Sequence, residues 1–317
     1  NLVTCPANAR TQNSGCLMSP QLSIRATIWQ VVEPSGGNAG FPLNCVQRGP
    51  LNPLKAPEHV VNTDFKVTFL GTSGITESNW SSTSACLVQL GGTKILIDAG
   101  IGAVRQLQRA DTNVDTLDVV LLTHWHLDHV ADLRGLINAR TNAIPLPVLG
   151  PELPSFLRRA LLMFCPALLR DYRTVHGGQP IRILDVEAEP VDTAHGIPSV
   201  GWKLVDAEGG RCIVVSGDTR PVDAIASAAS GAHLLVHEAT YLHRHLASAV
   251  RRRHSTAWEA ARLAQQAEVG ALILTHTSPR HPVTTVAREA EAAYPGTVVA
   301  TPLTVVRIES CHCQSDR

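Results

Sequence analysis

The chain has 317 residues, is 44% hydrophobic and 17% charged, and carries 27 basic and 27 acidic side chains. That is apolar material for a sizeable core in one large domain or two small ones. Zero formal net charge gives no global attraction to nucleic acid or an anionic membrane, and no apolar run approaches the roughly 20 residues of a membrane span.

Residues 1–62 read as a Pro/Gly-rich N-terminal extension, with seven prolines and five glycines before Val60. One alternating segment in it, 22–32, is a candidate strand. So few apolar residues do not build a core, so an extension or a wrap over the domain surface is expected. No basic-then-apolar leader segment is visible, and a cytoplasmic protein is expected, with a processed precursor as the alternative. Of the eight cysteines, Cys86 and Cys212 sit in apolar runs as small buried residues, while Cys5, Cys16 and Cys45 would pair only in an oxidising compartment.

The folded domain is expected over 63–310, with 311–317 as a tail. It opens on an alternating strand at 65–70 that runs into Gly71-Thr72-Ser73-Gly74. Strands at 85–90 and 93–97 flank Gly91-Gly92 as a hairpin, and Asp98-Ala99-Gly100 leads into a helix through about Arg109. The apolar run 119–122 is a short buried strand, and 130–136 carries apolar residues at helical spacing. A helical insert follows at 151–175, where Leu153, Phe156, Leu157, Leu161 and Leu168 form a stripe broken at Pro166. It is either a packing element or a lid over a cleft. Strands are then expected at 181–184, 191–194, 200–205, 212–216, 234–236, 271–275, 298–299 and 303–308, with helices at 257–267 and 282–293. Two runs of strands, each closed by helices, predict an α/β fold of two mixed sheets packed face to face with helices outside.

The chemistry concentrates in Thr123-His124-Trp125-His126-Leu127-Asp128-His129, in the turn between the strand at 119–122 and the following helix. Imidazole and carboxylate suit zinc and similar divalent ions. His195, Asp218 and His276 each follow an apolar strand, and strand ends of a sandwich gather at one edge. Together these are expected to be the ligands of a two-ion site, with a single-ion site, which would leave Asp128 or His276 without a role, as the minority reading. His124, His126 and His195 take one ion, Asp128, His129 and His276 the other, and Asp218 bridges. Two divalent ions about 3.5–4 Å apart lower the pKa of a shared water and present it as hydroxide. Asp98 is placed behind the ligands, to orient one of the histidines.

The HxHxDH motif with a later His, Asp and His resembles the metallo-β-lactamase superfamily, whose αββα sandwich fits the strand pattern. Finer motifs resemble its ribonuclease Z and arylsulfatase-like branch: Ala194-His195-Gly196-Ile197-Pro198-Ser199, Ser216-Gly217-Asp218-Thr219-Arg220-Pro221, His237-Glu238-Ala239-Thr240, His254-Ser255-Thr256 and Leu274-Thr275-His276-Thr277-Ser278-Pro279-Arg280. The resemblance implies a binuclear metal-dependent hydrolase holding two Zn2+, with Mn2+ or Fe as alternatives. Asp128 would be both ligand and catalytic carboxylate, and Glu238 with His254 would protonate the leaving group. A bland reading has Glu238 capping the next helix and His254 preceding another. The implied substrate is an RNA or small-molecule phosphodiester, with an aryl sulfate, lactone or β-lactam as the alternative; a homodimer is compatible. A non-catalytic module on the same fold is the third reading, disfavoured by the complete ligand set.

Two departures bear on substrate. Leu127 replaces the glycine usual in ribonuclease Z, and only 22 residues separate His195 from Asp218, where ribonuclease Z commonly carries a tRNA-gripping arm. The arm is expected to be absent, which puts tRNA 3′ processing in doubt. Arg251-Arg252-Arg253, just before His254, is either a phosphate clamp or a solvated charge run at a helix start. Trp125 is expected to pack beneath the ligands, and Trp80 to be a loop aromatic.

Overall fold

The structure, a computed structural model, describes residues 25–29, 65–74, 82–207 and 210–309. The candidate strand at 22–32 is thus described only over 25–29, and Trp80, Cys5, Cys16 and Cys45 lie outside the described residues.

The first half of the chain supplies β1 (Arg25–Trp29), β2 (Phe65–Gly71), β3 (Ala85–Leu90), β4 (Thr93–Ile97), β5 (Val119–Leu121), β6 (Val148–Gly150) and β7 (Tyr172–Thr174). Its helices are α1 (Ala103–Arg109), α2 (Leu127–Val130), α3 (Leu133–Ala139), α4 (Ser155–Phe164) and α5 (Pro166–Asp171). The second half supplies β8 (Ile181–Ile183), β9 (Val186–Asp192), β10 (Val200–Asp206), β11 (Cys212–Val215), β12 (Leu234–Glu238), β13 (Leu272–Thr275), β14 (Val298–Val299) and β15 (Val305–Glu309). Its helices are α6 (Asp223–Ala228), α7 (Leu246–Arg252), α8 (Ala257–Gln266) and α9 (Val283–Glu291).

Two mixed sheets result, ordered β1-β15-β2-β3-β4-β5-β6-β7 and β14-β13-β12-β11-β10-β9-β8. Strands β4, β5, β6 and β7 are parallel, as are β11, β12, β13 and β14. The central strands are apolar at successive positions because both of their faces are covered. Ile213, Val215, Leu234, Val236 and Ile273 point into the layer between the sheets, against Phe69, Val88, Ile97 and Leu121. Their neighbours Val214, Leu235, Leu272 and Leu274 point the other way, onto Ala260, Ala264 and Val286 of α8 and α9. Leu87, Leu96 and Val120 do the same on the first sheet, onto Leu107 of α1 and Leu136 of α3. Three apolar layers between four layers of structure make the expected αββα sandwich.

Several elements escaped the sequence pattern. β6 and β7 are three residues each, too short for a periodicity. The first five residues of β9, with alternating glutamates and Pro190, lie before the strand expected from 191. α6 and α7 are six and seven residues long. β15 crosses back to pair with β2, between β1 and the rest of the first sheet. In the insert, Pro166 does separate two helices, as its lack of an N–H demands. Leu153, Cys165 and Leu168 join the outer layer, whereas α4 buries no residue and exposes Phe156, Leu162, Met163 and Phe164. No described helix is long and apolar enough to cross a membrane.

Candidate metal centre and proton-donor pair

The topology brings strand ends to one edge. Asp98 follows β4, the motif 124–129 follows β5, Asp218 follows β11, Glu238 ends β12 and His276 follows β13. β9 runs antiparallel to β10 and β10 antiparallel to β11, so β9 points the same way as β11 and delivers His195 to the same edge. Close backbone approach is required here. A Cβ on Gly100 would lie 2.1 Å from the carbonyl oxygen of Asp128, and Gly217, at φ 59°, turns the chain just before Asp218.

The histidines and aspartates fall into two groups that meet at Asp218. His124 Nε2 and His195 Nε2 lie 3.0 and 3.2 Å from His126 Nδ1. His276 Nε2 lies 3.4 Å and His129 Nε2 3.9 Å from Asp128 Oδ2. Asp218 Oδ2 stands between them, 3.7 Å from His124 Nε2, 4.0 Å from His195 Nε2, 3.5 Å from His129 Nε2 and 3.4 Å from His276 Nε2. Tetrahedral ligation at roughly 2.0–2.2 Å separates ligand atoms by about 3.4 Å, so these spacings suit ions bound among them.

Two further observations favour cations. His129 Nε2 and Asp218 Oδ1 are buried without a hydrogen-bond partner, which is costly unless an ion satisfies them. Asp98, Asp128, Asp218 and Glu238 are all buried, and their ion-pair partners are histidines. Burial opposes the charge on Asp218, yet His276, His129 and His124 hold its carboxyl well below the usual range. Burial likewise opposes charge on His129, but Asp218 and Asp98 hold the imidazole well above its ordinary value. Positive charge at this edge is strongly favoured, and two divalent ions fit the donors and the charge.

The inner nitrogens are oriented from behind. His129 Nδ1 donates to Asp98 Oδ2 at 2.7 Å, and Asp98 in turn accepts from Thr123 N and Thr123 Oγ1, each at 2.8 Å. His195 Nδ1 faces the carbonyl of Arg253 at 3.1 Å, His276 Nδ1 faces Thr240 Oγ1 at 2.8 Å and His124 Nδ1 faces Thr123 Oγ1 at 3.0 Å. These contacts leave Nε2 to point into the cluster. His126 is the exception and turns Nδ1 inward. Asp98 and His276 sit at φ 59° and 52°, a left-handed backbone uncommon outside glycine and one that clusters at functional sites.

Beside the cluster, His254 Nδ1 donates to Glu238 Oε1 at 2.9 Å and lies 3.8 Å from Asp218 Oδ2. Its ring centroid is 5.0 Å from that of His195 and 5.5 Å from that of His276, so it overlooks both groups. Burial opposes protonation of His254, but the Glu238 carboxylate and Asp218 outweigh it and hold the imidazole up to about 9. Glu238 does not cap a helix. It ends β12 and accepts from Thr219 N at 2.9 Å and Thr240 Oγ1 at 2.6 Å.

The arginine run ends α7 instead of starting a helix. All three arginines are exposed, and Arg253, at φ 57°, also donates to the His195 carbonyl at 2.7 Å. Trp125 is buried behind the ligands and donates to the Pro151 carbonyl. Four positioning residues escaped the sequence reading: Thr123, Thr240, Arg253 and Arg220, whose guanidinium holds the His254 carbonyl at 2.7 Å and pairs with Glu259. Their adjacency to the candidate ligands, to His254 and to His237-Glu238-Ala239-Thr240 was the only signal available. Cys86, Cys165 and Cys212 are free thiols, and burial raises those of Cys86 and Cys212.

An αββα sandwich with buried histidines and aspartates gathered at its strand-end edge defines the class: a metal-dependent hydrolase. The family model described as the Beta-lactamase superfamily domain matches residues 93–277. Ribonuclease Z of Methanopyrus kandleri is 30% identical over 284 residues, covering 78% of this chain and 99% of that protein. Human tRNase Z, short form, superposes with a TM-score of 0.60 at 27% identity over 76% of this chain and 98% of its own. The metallo-β-lactamase fold protein YhfI from Bacillus subtilis gives 0.69 at 24% identity over 77% and 99% of the two chains. The chain belongs to the metallo-β-lactamase superfamily, in its ribonuclease Z branch.

Proposed function

We propose that this hydrolase cleaves phosphodiester bonds of RNA in the manner of a ribonuclease Z-like enzyme. Two divalent ions, zinc by preference, would be held by His124, His126 and His195 and by Asp128, His129 and His276, with Asp218 available to both. When bound, such a pair supplies Lewis acidity toward a phosphoryl oxygen and acidifies water. The observation that carries the reading is the Glu238–His254 pair, 2.9 Å apart at the rim of the cluster. With Nδ1 engaged by Glu238, His254 offers Nε2 to the departing oxygen and gives up its proton as the phosphorus–oxygen bond breaks. The ionised Glu238, held by Thr219 and Thr240, compensates the imidazolium. Asp128, on the His276 side, takes the proton of the attacking water. An alkoxide leaving group needs this donor, whereas β-lactams and lactones need it less.

A chromogenic phosphodiester assayed with zinc- or manganese-loaded protein and its His254→Ala variant tests the reading. Robust turnover that collapses in the variant supports it, and RNA substrates follow. Metal-loaded protein without turnover sinks it and sends the search to aryl sulfates, lactones and β-lactams.

One observation favours a smaller substrate than tRNA. Between His195 and Asp218 the chain forms the antiparallel hairpin β10–β11, part of the second sheet, where ribonuclease Z commonly carries its arm. A short RNA or a small phosphodiester should therefore be turned over at least as well as precursor tRNA, and the reverse preference would reject the reading.

A further inference from the structure

We infer that Thr240 is a positioning residue whose single hydroxyl sets both the ligand tautomer of His276 and the orientation of the Glu238 proton-donor pair. The inference rests on the metal reading above. Thr240 Oγ1 lies 2.8 Å from His276 Nδ1 and 2.6 Å from Glu238 Oε2, and 3.3 Å from His254 Nδ1. A hydroxyl has one proton to give and lone pairs to receive with. A histidine that offers Nε2 to an ion carries its proton on Nδ1, so His276 must donate and Thr240 must accept. The hydroxyl proton is then free for one acceptor. The Glu238 carboxylate is closer than the His276 carbonyl at 3.2 Å, and charged, so it takes that proton. His254 already has its own acceptor in Glu238 Oε1.

The direction of the chain of hydrogen bonds is therefore fixed: His276 to Thr240 to Glu238, and His254 to Glu238 from the other side. Thr240 N also donates to Glu238 Oε2 at 3.2 Å, which locks the carboxylate plane. The other ligand histidines with an inner partner use a carboxylate, a backbone carbonyl or Thr123, none of which touches Glu238. Only at Thr240, among the described residues, does one hydroxyl hydrogen-bond a candidate ligand and the donor pair at once. Replacing it should loosen one side of the metal centre and misdirect the proton, while leaving the His124, His126 and His195 side as it was.

The test uses the full chain and Co2+ as the probe, with binding followed by visible absorbance under chelator competition. The wild-type protein should bind two ions. Thr240→Val should keep one of them at wild-type affinity and bind the other about ten- to hundred-fold more weakly, whereas Thr240→Ser should stay near wild type. Thr240→Ala removes the same oxygen with a smaller side chain and must give the same split if the valine variant folds poorly. In kinetics, the loss in the valine or alanine variant should grow as the leaving group of an aryl phosphodiester becomes poorer. Equal weakening of both ions, wild-type affinity for both, or a wild type that takes up only one ion overturns the inference. Two ions bound by a wild type that turns over no phosphodiester refutes the proposed activity instead, and the binding arm still decides the role of Thr240.

Discussion

The strand-end edge and the insert at 151–175 invert the usual partition of side chains in opposite ways. At the edge, four carboxylates and most of the facing imidazoles are buried. On α4, Phe156 and Met163 are 75% and 76% exposed. The first inversion is expensive, because a buried charge costs several kcal/mol unless it is paired. It persists because each group at the edge is held by another and the whole favours cations. The second is cheap, since apolar atoms already make up much of a protein surface. The difference separates a region where one substitution unbalances everything from an exposed helix, α4, where substitutions should be nearly silent.

The largest break should come from Asp218→Ala. Its Oδ2 stands within 4.0 Å of four ligand histidines, so both ions and all activity should be lost together, as metal analysis beside the assay would show. Full metal occupancy in that variant would refute its bridging role. Next comes His254→Ala, which should retain both ions and lower kcat by roughly 10²–10⁴-fold, the span of general acid catalysis. His254 acts in its protonated form, and Glu238 raises its pKa, so activity is present below that pKa and falls as pH rises through it. Glu238→Gln should therefore move the alkaline limb of the pH–rate profile to lower pH; an unmoved limb would separate Glu238 from the proton donor.

Asp98→Asn comes third. It weakens the hydrogen bond that orients His129, and metal affinity should fall about ten- to hundred-fold, measurable by chelator competition. The smallest effect belongs to the exposed face of the insert, with its buried base as the contrast. Leu168→Ala at its buried base should destabilise the fold by about 2–5 kcal/mol in denaturant unfolding. Met163→Ser on the exposed helix should change stability by no more than about 0.5 kcal/mol. A cost for Met163→Ser as large as that for Leu168→Ala would mean that α4 is covered, and the contrast between the two regions would fail.

Much of this was legible in the chain itself. The cluster from His124 to His129 declares its chemistry because four donor side chains follow a strand within a few positions, and no tertiary contact is needed to group them. The alternation of β2 and the apolar runs of β5, β11, β12 and β13 fixed the class of fold, since burial on both faces leaves a continuous hydrophobic signature. His195, Asp218 and His276 were recognisable as candidate ligands from their strand-end positions. What the sequence could not carry was any distance between them, because up to 148 residues separate Asp128 from His276. Only the parallel registry of β11, β12 and β13, and the double reversal through β10, decided that these ends meet. The same holds for Thr123, Thr240, Arg220 and Arg253. A threonine or arginine has no periodic signature, and its role as a positioning group exists only once two distant strands have brought an imidazole or a carbonyl within hydrogen-bonding reach.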